Sequence, residues 1–169
     1  MALLQHVDVT LLVDVRSTPR SQTTPQFNED TLPASLAADG IGYRHLRALG
    51  GRRRRPNGAP PSRNGYWRVP AFRNYADYAE TADFRDGLRT LRAIALRDRC
   101  AIMCAEAVWW HCHRWIIADY LLAGGTHVEH IMGPGHIDPA TLTPGARVMD
   151  DGTLRYPLPE DANPITSDD

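Results

Sequence analysis

Short apolar runs, separated by turn residues, predict the strands of this chain. Residues 10–16 form a leucine- and valine-rich run that is typical of a buried strand. Residues 41–45 predict a second, short strand, residues 99–104 predict a third and residues 126–131 predict a fourth. Because Gly, Pro or Ser residues or a helical pattern separate these runs, we expect four distinct strands.

Two longer segments show helical periodicity. Between residues 81 and 97, apolar positions recur at steps of four, three and four, and they form one face that consists of Phe84, Leu88, Leu91 and Ala95. Thr81 is expected to cap this helix. A second helix is expected over about residues 112–123, and Gly124 and Gly125 are expected to stop it. A short helix that begins at Asn28 or Thr31 is expected to end at Gly40.

The alternation of these elements predicts an α/β fold with a layered, open and mostly parallel sheet flanked by helices, of the Rossmann-like or flavodoxin-like kind. Residues 1–140 are expected to form this single domain. Residues 141–169 are rich in Pro and Asp and are expected to form a tail. Within the tail, residues 147–156 predict a small hairpin that turns at Asp151-Gly152. The last ten or so residues are expected to be disordered.

The composition places the chain among soluble globular proteins. Of its 169 residues, 43 % are hydrophobic and 23 % are charged. No apolar run approaches the roughly 18 residues of a membrane helix, and the first residues lack the basic and then apolar pattern of a secretory signal. Three cysteines, an odd number, favour reduced thiols over a disulfide framework. We therefore expect a cytoplasmic protein with no membrane partner.

The net charge of −1 conceals an uneven distribution of charge. Residues 1–100 carry 16 Arg against 10 Asp and Glu, whereas residues 101–169 carry 3 Arg against 10 Asp and Glu. The sequence contains no Lys, so all 19 basic residues are Arg. Arginine binds phosphate and carboxylate through a planar fork, which suits an anionic partner. A coding bias toward arginine explains the same pattern without any function, and this explanation is favoured.

The stretch from residue 104 to residue 114 holds the densest set of reactive side chains. Its sequence is Cys-Ala-Glu-Ala-Val-Trp-Trp-His-Cys-His-Arg. It begins where the third predicted strand ends, and it continues into a predicted helix. Open α/β sheets usually bind ligands at the carboxyl ends of their strands. The sequence therefore predicts a functional site here.

The chain resembles the domain of unknown function 488 family (DUF488) over nearly all of residues 3–140. The matching pieces are Asp14-Val-Arg16 with Ser17 and Pro19, Phe27-Asn28, Gly42-Tyr-Arg-His-Leu46, Leu49-Gly-Gly51, Phe84, Cys104-Ala-Glu106, Cys112-His-Arg114 and His130-Ile131. The resemblance implies an α/β fold and a site at these motifs, but no particular reaction. Members usually open with a strand that carries Thr-Ile-Gly-His-Ser, which this sequence lacks. Either the true start of the protein lies upstream, or the family core is shortened at its N-terminus.

Four residues of the stretch are candidates for catalysis. Cys104 is a candidate nucleophile at a strand end, although a small buried core residue is the favoured alternative. Cys112 is a second candidate, either as nucleophile or as structural thiol. Glu106 is suited to act as a general acid or base, or to pair with an arginine. His113 either belongs to the site or faces the core and donates a hydrogen bond to a backbone carbonyl.

Thiolate and imidazole ligands suit zinc, but the spacing of these residues argues against a metal site. Cys112 and His113 are adjacent in the predicted helix, where their side chains would point about 100° apart. We therefore expect neither a metal nor another cofactor. A reversible disulfide between Cys104 and Cys112 is a further hypothesis, because both thiols lie at one predicted strand–helix junction.

Five residues are candidates for binding an anionic substrate. Arg16 and Ser17 follow the first predicted strand, and Arg114 lies in the first turn of a predicted helix, where free N–H groups favour anions. Asp14 precedes Arg16, and a salt bridge between these two residues is an equally favoured alternative. Trp109 is expected to cover a ligand.

The Gly- and Pro-rich segment 50–61 is expected to be a mobile loop. It contains four consecutive arginines, which are Arg52, Arg53, Arg54 and Arg55. Together with Tyr66 and Trp67, they suggest a nucleic-acid contact in which arginines bind phosphates and aromatic rings stack on bases. The sequence pI of about 6.6 lies well below that of a basic nucleic-acid-binding domain, which weakens this prediction.

Together these features favour an enzyme of the hydrolase or transferase kind that acts on a phosphate-bearing substrate such as a nucleotide or nucleic acid. One alternative is a non-catalytic module that binds nucleotide or nucleic acid through the same arginines. Another alternative is a thiol redox sensor based on Cys104 and Cys112.

Overall fold

A computed structural model describes residues 2–159, and the C-terminal residues predicted to be disordered lie outside the described residues. Three parallel strands form the central sheet in the order β2-β1-β3; they are β1 (Leu11–Asp14), β2 (Gly42–His45) and β3 (Cys100–Met103). At the carboxyl end of β1, Asp14 is paired with His45 of β2 and with Met103 of β3. The three strands therefore end at one edge of the sheet.

Within residues 2–159, five helices accompany the sheet. They are α1 (Ala2–His6), α2 (Leu32–Ala37), α3 (Pro70–Ala79), α4 (Ala82–Ala95) and α5 (Arg114–Ala123). Short 3₁₀ turns occupy Pro25–Phe27, Arg47–Leu49 and Trp109–His111. None of the helices in this part of the chain has the length and apolar character needed to cross a bilayer.

β1 is buried on both of its faces, as parallel strands usually are. Val13 belongs to the main core, together with Phe84 of α4 and Ile116 of α5. Leu12 belongs to a second core, together with Leu36 of α2. Successive side chains of a strand point to opposite faces, which accounts for this division. The protein is thus a mixed α/β fold with a parallel sheet and helices, while the finer Rossmann-like or flavodoxin-like assignment and the shortened core stay predictions.

The two periodic segments form helices close to the predicted bounds. Thr81 caps α4, since its side chain accepts a hydrogen bond from the backbone N–H of Phe84 at 3.4 Å. α5 ends at Ala123, directly before Gly124, as expected, but it begins only at Arg114, two residues later than predicted. α3 is absent from the predicted elements, although a proline at its first position marks its start.

The predicted fourth strand is wrong in its bounds and in its partner. The strand is β4 (Glu129–Gly133), and it pairs antiparallel with β5 (His136–Pro139) in a separate two-stranded sheet. A two-residue turn at Pro134-Gly135, with a φ of 69° at Gly135, connects β4 to β5. Because a two-residue turn lets neighbouring segments pair directly, β4 forms a hairpin with β5 and is not part of the parallel sheet.

The predicted hairpin near the C-terminus is present as β6 (Arg147–Val148) and β7 (Leu154–Arg155). Leu154 of β7 and Tyr156, which directly follows β7, are fully buried in the main core. The carboxylate of Asp119 on α5 accepts hydrogen bonds from the backbone and hydroxyl of Thr143 at 2.9 and 2.7 Å, and from the Tyr156 hydroxyl at 3.0 Å. The segment that follows residue 140 is therefore anchored to α5 by buried polar contacts as well as by apolar packing.

Candidate functional site

The parallel pairing of β1 and β3 brings two candidate loops together. Asp14 and Met103 are partners in the sheet, so the residues that follow them leave the same edge side by side. The backbone N–H of Val15 continues the pairing by donating to the Met103 carbonyl at 2.9 Å. Arg16 and Ser17 therefore lie next to the loop that starts at Cys104, at the carboxyl edge where α/β sheets bind ligands.

A cavity of about 220 Å³ opens at this edge. Of the candidate residues, it is lined by Arg16, Ser17, Arg52, Cys104, Glu106, Cys112 and His113. Thr18 and His111 also line it; from the sequence, Thr18 is a possible donor beside Ser17 and His111 a possible metal ligand beside Cys112. Gly51, Ala71, Phe72 and Ala105 line it as well, and none of these was predicted to be a site residue. Gly51 lies in a motif that carries the family resemblance, which is the signal that was available for it. The residues that follow the first strand and the thiol- and imidazole-bearing stretch therefore line one cavity, whereas Asp14 and Arg114 are not among its lining residues.

Cys112 lies just before α5 rather than within it. Its backbone is extended, with φ −134° and ψ 147°. The assumption that Cys112 and His113 share helical geometry and point apart is therefore wrong, because the helix starts only at Arg114. The Cys112 sulfur accepts hydrogen bonds from the backbone N–H of Arg114 at 3.4 Å and from its Nε at 3.3 Å. These donors and the start of the helix favour a thiolate at Cys112.

His113 connects the start of α5 to the end of β1. Its Nε2 lies 2.9 Å from the backbone carbonyl oxygen of Val15, so Nε2 carries the proton and donates. Its Nδ1 lies 3.5 Å from the Cys112 sulfur. The backbone-bonded histidine proposed as one alternative for His113 is thus observed, and the same ring also lines the cavity. The ring packs against Tyr75 and closely over Gly51, where a Cβ would clash with it.

The thiols of Cys104 and Cys112 lie close together. Both are free thiols, and their sulfur atoms lie within 4.8 Å of each other. The neighbouring Cys104 thiol lowers the pKa of Cys112, and His113 and Arg114 act in the same direction. The neighbouring Cys112 thiol, together with burial, raises the pKa of Cys104. Of the two thiols, Cys112 is therefore the one whose surroundings favour the thiolate.

Asp14 and Arg16 form a buried ion pair, of which Arg16 lines the cavity. The Arg16 guanidinium donates from Nε to Asp14 at 2.9 and 3.0 Å, and from a terminal nitrogen to the Phe27 carbonyl at 2.6 Å. The Tyr43 hydroxyl donates to the same carboxylate at 2.8 Å. Asp14 is fully buried and Arg16 is 8 % exposed. The salt-bridge alternative for these residues is observed, and most of the donors of Arg16 are used within the protein.

Arg114 and Trp109 are not among the residues that line this cavity. Arg114 donates to the backbone carbonyl of Glu106 at 2.6 Å, and this contact fixes the loop that follows β3. The Trp109 ring stacks on His130 of β4, with centroids 4.1 Å apart and planes inclined by 3°. Both residues line a second, larger cavity of about 880 Å³ between β3, α4 and β4. Their contact with a substrate stays a prediction, and it would be made in this second cavity and not in the one lined by the thiols.

The four consecutive arginines differ in whether their guanidinium groups have partners within the described part of the protein. Arg53 donates to the carbonyls of Gly50 and Arg47 and covers the Tyr78 ring at 3.7 Å, while Arg55 pairs with Asp77 at 3.7 Å. Within residues 2–159, the guanidinium groups of Arg52 and Arg54 have no hydrogen bond or ion pair. Arg52 lines the cavity, where its backbone N–H donates to the Ser17 hydroxyl oxygen at 2.9 Å. Arg52 is thus the cation of this segment that lies beside the thiols.

The family model described as domain of unknown function DUF488 matches residues 1–121, which include β1 to β3 and every residue lining the cavity. The chain belongs to the DUF488 family. No curated protein and no solved structure matches it. The description of the DUF488 family assigns no activity, so the chemistry of the site must be argued from its own residues.

Within residues 2–159, one group of side chains in this DUF488 protein could hold a metal ion, and its ligands are soft. The sulfurs of Cys104 and Cys112 and a ring nitrogen of His113 all lie within 4.8 Å of one another. Zinc is the ion that such thiolate and imidazole ligands prefer. The expectation that the residue spacing argues against a metal site therefore lacks its geometric basis, since Cys112 is not helical.

Proposed function

We propose that this protein is a cysteine-dependent enzyme of the hydrolase or transferase kind, which acts on a small phosphate-bearing substrate such as a nucleotide. The observation that supports it is the set of contacts around Cys112, a buried residue of the cavity lining whose sulfur accepts two N–H groups from Arg114. Activated cysteine nucleophiles occur where a helix start, a cation and a histidine favour the thiolate. Cys112 has all three, and Cys104 has none of the N–H donors from the helix start.

The substrate anion is bound by Arg52 and Ser17 in this proposal. Arg16 is occupied by Asp14, and Arg114 is occupied by the loop after β3. Arg52 is free to pair with an anion within the cavity. The Ser17 hydroxyl oxygen already accepts the Arg52 N–H, so its own proton remains available to a phosphate oxygen. The arginine predicted from the sequence to contact nucleic acid thereby becomes a contact for one phosphate group.

The proposed reaction proceeds in two steps. In the first step, the Cys112 thiolate attacks the phosphorus and the P–O bond to the leaving group breaks, while Glu106 supplies a proton to the leaving oxygen. In the second step, Glu106 takes a proton from water, whose oxygen attacks the phosphocysteine. This attack releases phosphate and restores the thiolate. An alcohol in place of water makes the same reaction a transfer.

The proximity of the two thiols, whose sulfurs lie within 4.8 Å of each other, favours a second candidate function, a reversible redox switch. In this reaction, two thiols and one peroxide give a disulfide and two waters, so the thiols are oxidised and the peroxide is reduced. Intact-mass measurement after peroxide treatment would show the loss of two hydrogens, and Cys104→Ser would prevent it. Both functions use Cys112, but only the enzyme requires Arg52 and Glu106.

The enzyme proposal is tested with an aryl phosphate monoester and a panel of nucleoside phosphates. Cys112→Ser should reduce turnover to the uncatalysed background, and Glu106→Gln should slow it by about 10²–10⁴-fold. Arg52→Ala should raise KM by about 10- to 100-fold, which corresponds to a charge-assisted hydrogen bond of about 1.5–3 kcal/mol. Cys100→Ser and Arg54→Ala are the matched controls, because neither residue lines the cavity.

Two results would overturn the proposal. Turnover that survives in Cys112→Ser would show that the thiolate is not the nucleophile. Nucleotide binding that depends on Arg52 but is never followed by turnover, on any member of the panel, would replace the enzyme with a binding module.

A further inference from the structure

We propose that Cys104, Cys112 and His113 form a three-ligand Zn²⁺ site, and that zinc bound there silences the Cys112 nucleophile. The binding part of this proposal concerns the three side chains alone. The inhibitory part rests on the proposed function. A bound metal would turn the reactive thiolate into a ligand, so zinc occupancy and thiol catalysis would exclude one another.

The distances between the candidate ligand atoms suit a tetrahedral metal. A Zn–S bond of about 2.3 Å and a Zn–N bond of about 2.0–2.1 Å at the tetrahedral angle place sulfur and nitrogen about 3.5 Å apart. The Cys112 sulfur and His113 Nδ1 are 3.5 Å apart. The Cys104 sulfur lies within 4.8 Å of both other ligand atoms, so only a small side-chain adjustment brings it to the ion.

The tautomer of His113 is already the one that a metal ligand requires. Because Nε2 donates to the Val15 carbonyl at 2.9 Å, the lone pair of the neutral ring lies on Nδ1. Histidines that bind metals commonly donate their other ring N–H to a backbone carbonyl or a carboxylate, which fixes the orientation of the ring. Gly51 permits this orientation, since the ring lies where a Cβ would be.

The surroundings of the two sulfurs also suit ligand thiolates. The two N–H donors of Arg114 reach Cys112 at 3.4 and 3.3 Å, and the backbone N–H of Glu106 reaches the Cys104 sulfur at 3.2 Å. Such donors balance the negative charge that two thiolates bring to one ion. Binding would release the protons that remain on the thiols, so affinity should increase with pH.

The fourth coordination position would face the cavity. All three ligand residues line the cavity, as do Ser17 and Glu106. Three protein ligands with one open position are typical of accessible zinc sites, whereas structural sites have four protein ligands. An accessible site exchanges its ion with solution, which is what reversible control of Cys112 requires.

The test uses the full-length reduced protein, with Zn²⁺ and Co²⁺ as probes. Competition with a chromogenic chelator should give one Zn²⁺ per chain. Co²⁺ should give sulfur-to-metal charge-transfer absorption and the intense visible bands of a tetrahedral complex. Cys104→Ser should weaken zinc binding by at least about 100-fold, because even outer contacts of metal ligands contribute about 10- to 100-fold. Cys100→Ser is the matched control and should bind like the parent.

The outcomes separate this proposal from the proposed function. Binding that is unchanged in Cys104→Ser, or is lost in Cys100→Ser, would overturn the site. Stoichiometric binding in a protein that shows no turnover on any phosphate ester would leave the site standing and refute the enzyme. Turnover that increases on adding zinc would overturn the inhibitory role, and full inhibition at one equivalent, relieved by a chelator, would support it.

Discussion

The imidazole of His113 donates from Nε2 to the backbone carbonyl of Val15 across 2.9 Å, and so joins two residues that are 98 positions apart in the chain. Val15 is fully buried and directly follows β1, and His113 is the residue immediately before α5. One hydrogen bond thus sets both the position of the helix start and the nitrogen that faces Cys112. Changes to the His113 ring should therefore affect both the stability of the fold and the properties of the Cys112 thiol.

His113→Phe is expected to destabilise the fold by about 1–3 kcal/mol, because it leaves the buried Val15 carbonyl without a donor. His113→Gln should recover part of this stability, since its amide can donate to Val15, yet it should not recover zinc binding or turnover. Urea unfolding and the two functional assays check this. His111→Ala, at an exposed position, should cost at most about 0.5 kcal/mol. Equal stability of His113→Phe and the parent would contradict the role of this hydrogen bond.

Gly51→Ala is expected to displace the His113 ring, because the added Cβ would overlap it. Zinc affinity and turnover should both fall by about 10-fold or more, as when the support of a metal ligand is removed. Isothermal titration with Zn²⁺ measures the first effect and a steady-state assay measures the second. Gly133→Ala is the control, since a Cβ there meets no atom within 4 Å. Unchanged zinc binding in Gly51→Ala would show that the ring is not a ligand.

Asp14→Asn is expected to destabilise the protein by about 3–5 kcal/mol, because it leaves the guanidinium of Arg16 buried without its counter-charge. The exposed pair Arg89–Asp86 offers the comparison, and Asp86→Asn should cost at most about 0.5 kcal/mol. Denaturant unfolding of both variants measures the difference. Similar losses in the two variants would mean that Arg16 finds a substitute partner or solvent.

Asp119 should give the protein a recognisable pH dependence. Burial raises its pKa, although the hydrogen bonds from Thr143 and Tyr156 oppose the shift. The folded state therefore holds the Asp119 proton more tightly than the unfolded chain, whose value is about 3.9. Stability from this group is complete below that value and is lost as pH rises through the higher folded pKa.

Asp119→Asn should remove this contribution, while its amide oxygen still accepts the Thr143 N–H. The free energy of unfolding of the parent, minus that of the variant, should decline as pH rises above about 4. Urea unfolding at a series of pH values measures it, with Asp86→Asn as the control at an exposed carboxylate. A difference that rises with pH would mean that the hydrogen bonds outweigh burial.

Periodicity along the chain was sufficient for the strands β1, β2 and β3, for α4 with its cap at Thr81, and for the hairpin at residues 147–156. These elements depend on neighbours in the sequence, so a local pattern encodes them. The order of the strands in the sheet and the pairing of β4 depend on which backbone groups find partners. The apolar pattern of residues 126–131 fits a strand in either sheet, and for that reason it could not exclude the hairpin.

The sequence by itself determined that Cys104, Glu106, Cys112 and His113 lie at a strand end beside a helix start. The tertiary structure alone decided which of them interact. α5 starts two residues later than the sequence predicts, and Cys112 therefore lies outside the helix, with its sulfur near His113 and Cys104. Close packing joined Arg16 to Asp14 and left Arg52 beside the thiols. Chain-local patterns specify backbone conformation, whereas the partner of a charged or reactive side chain depends on which distant segments the core brings within hydrogen-bonding distance.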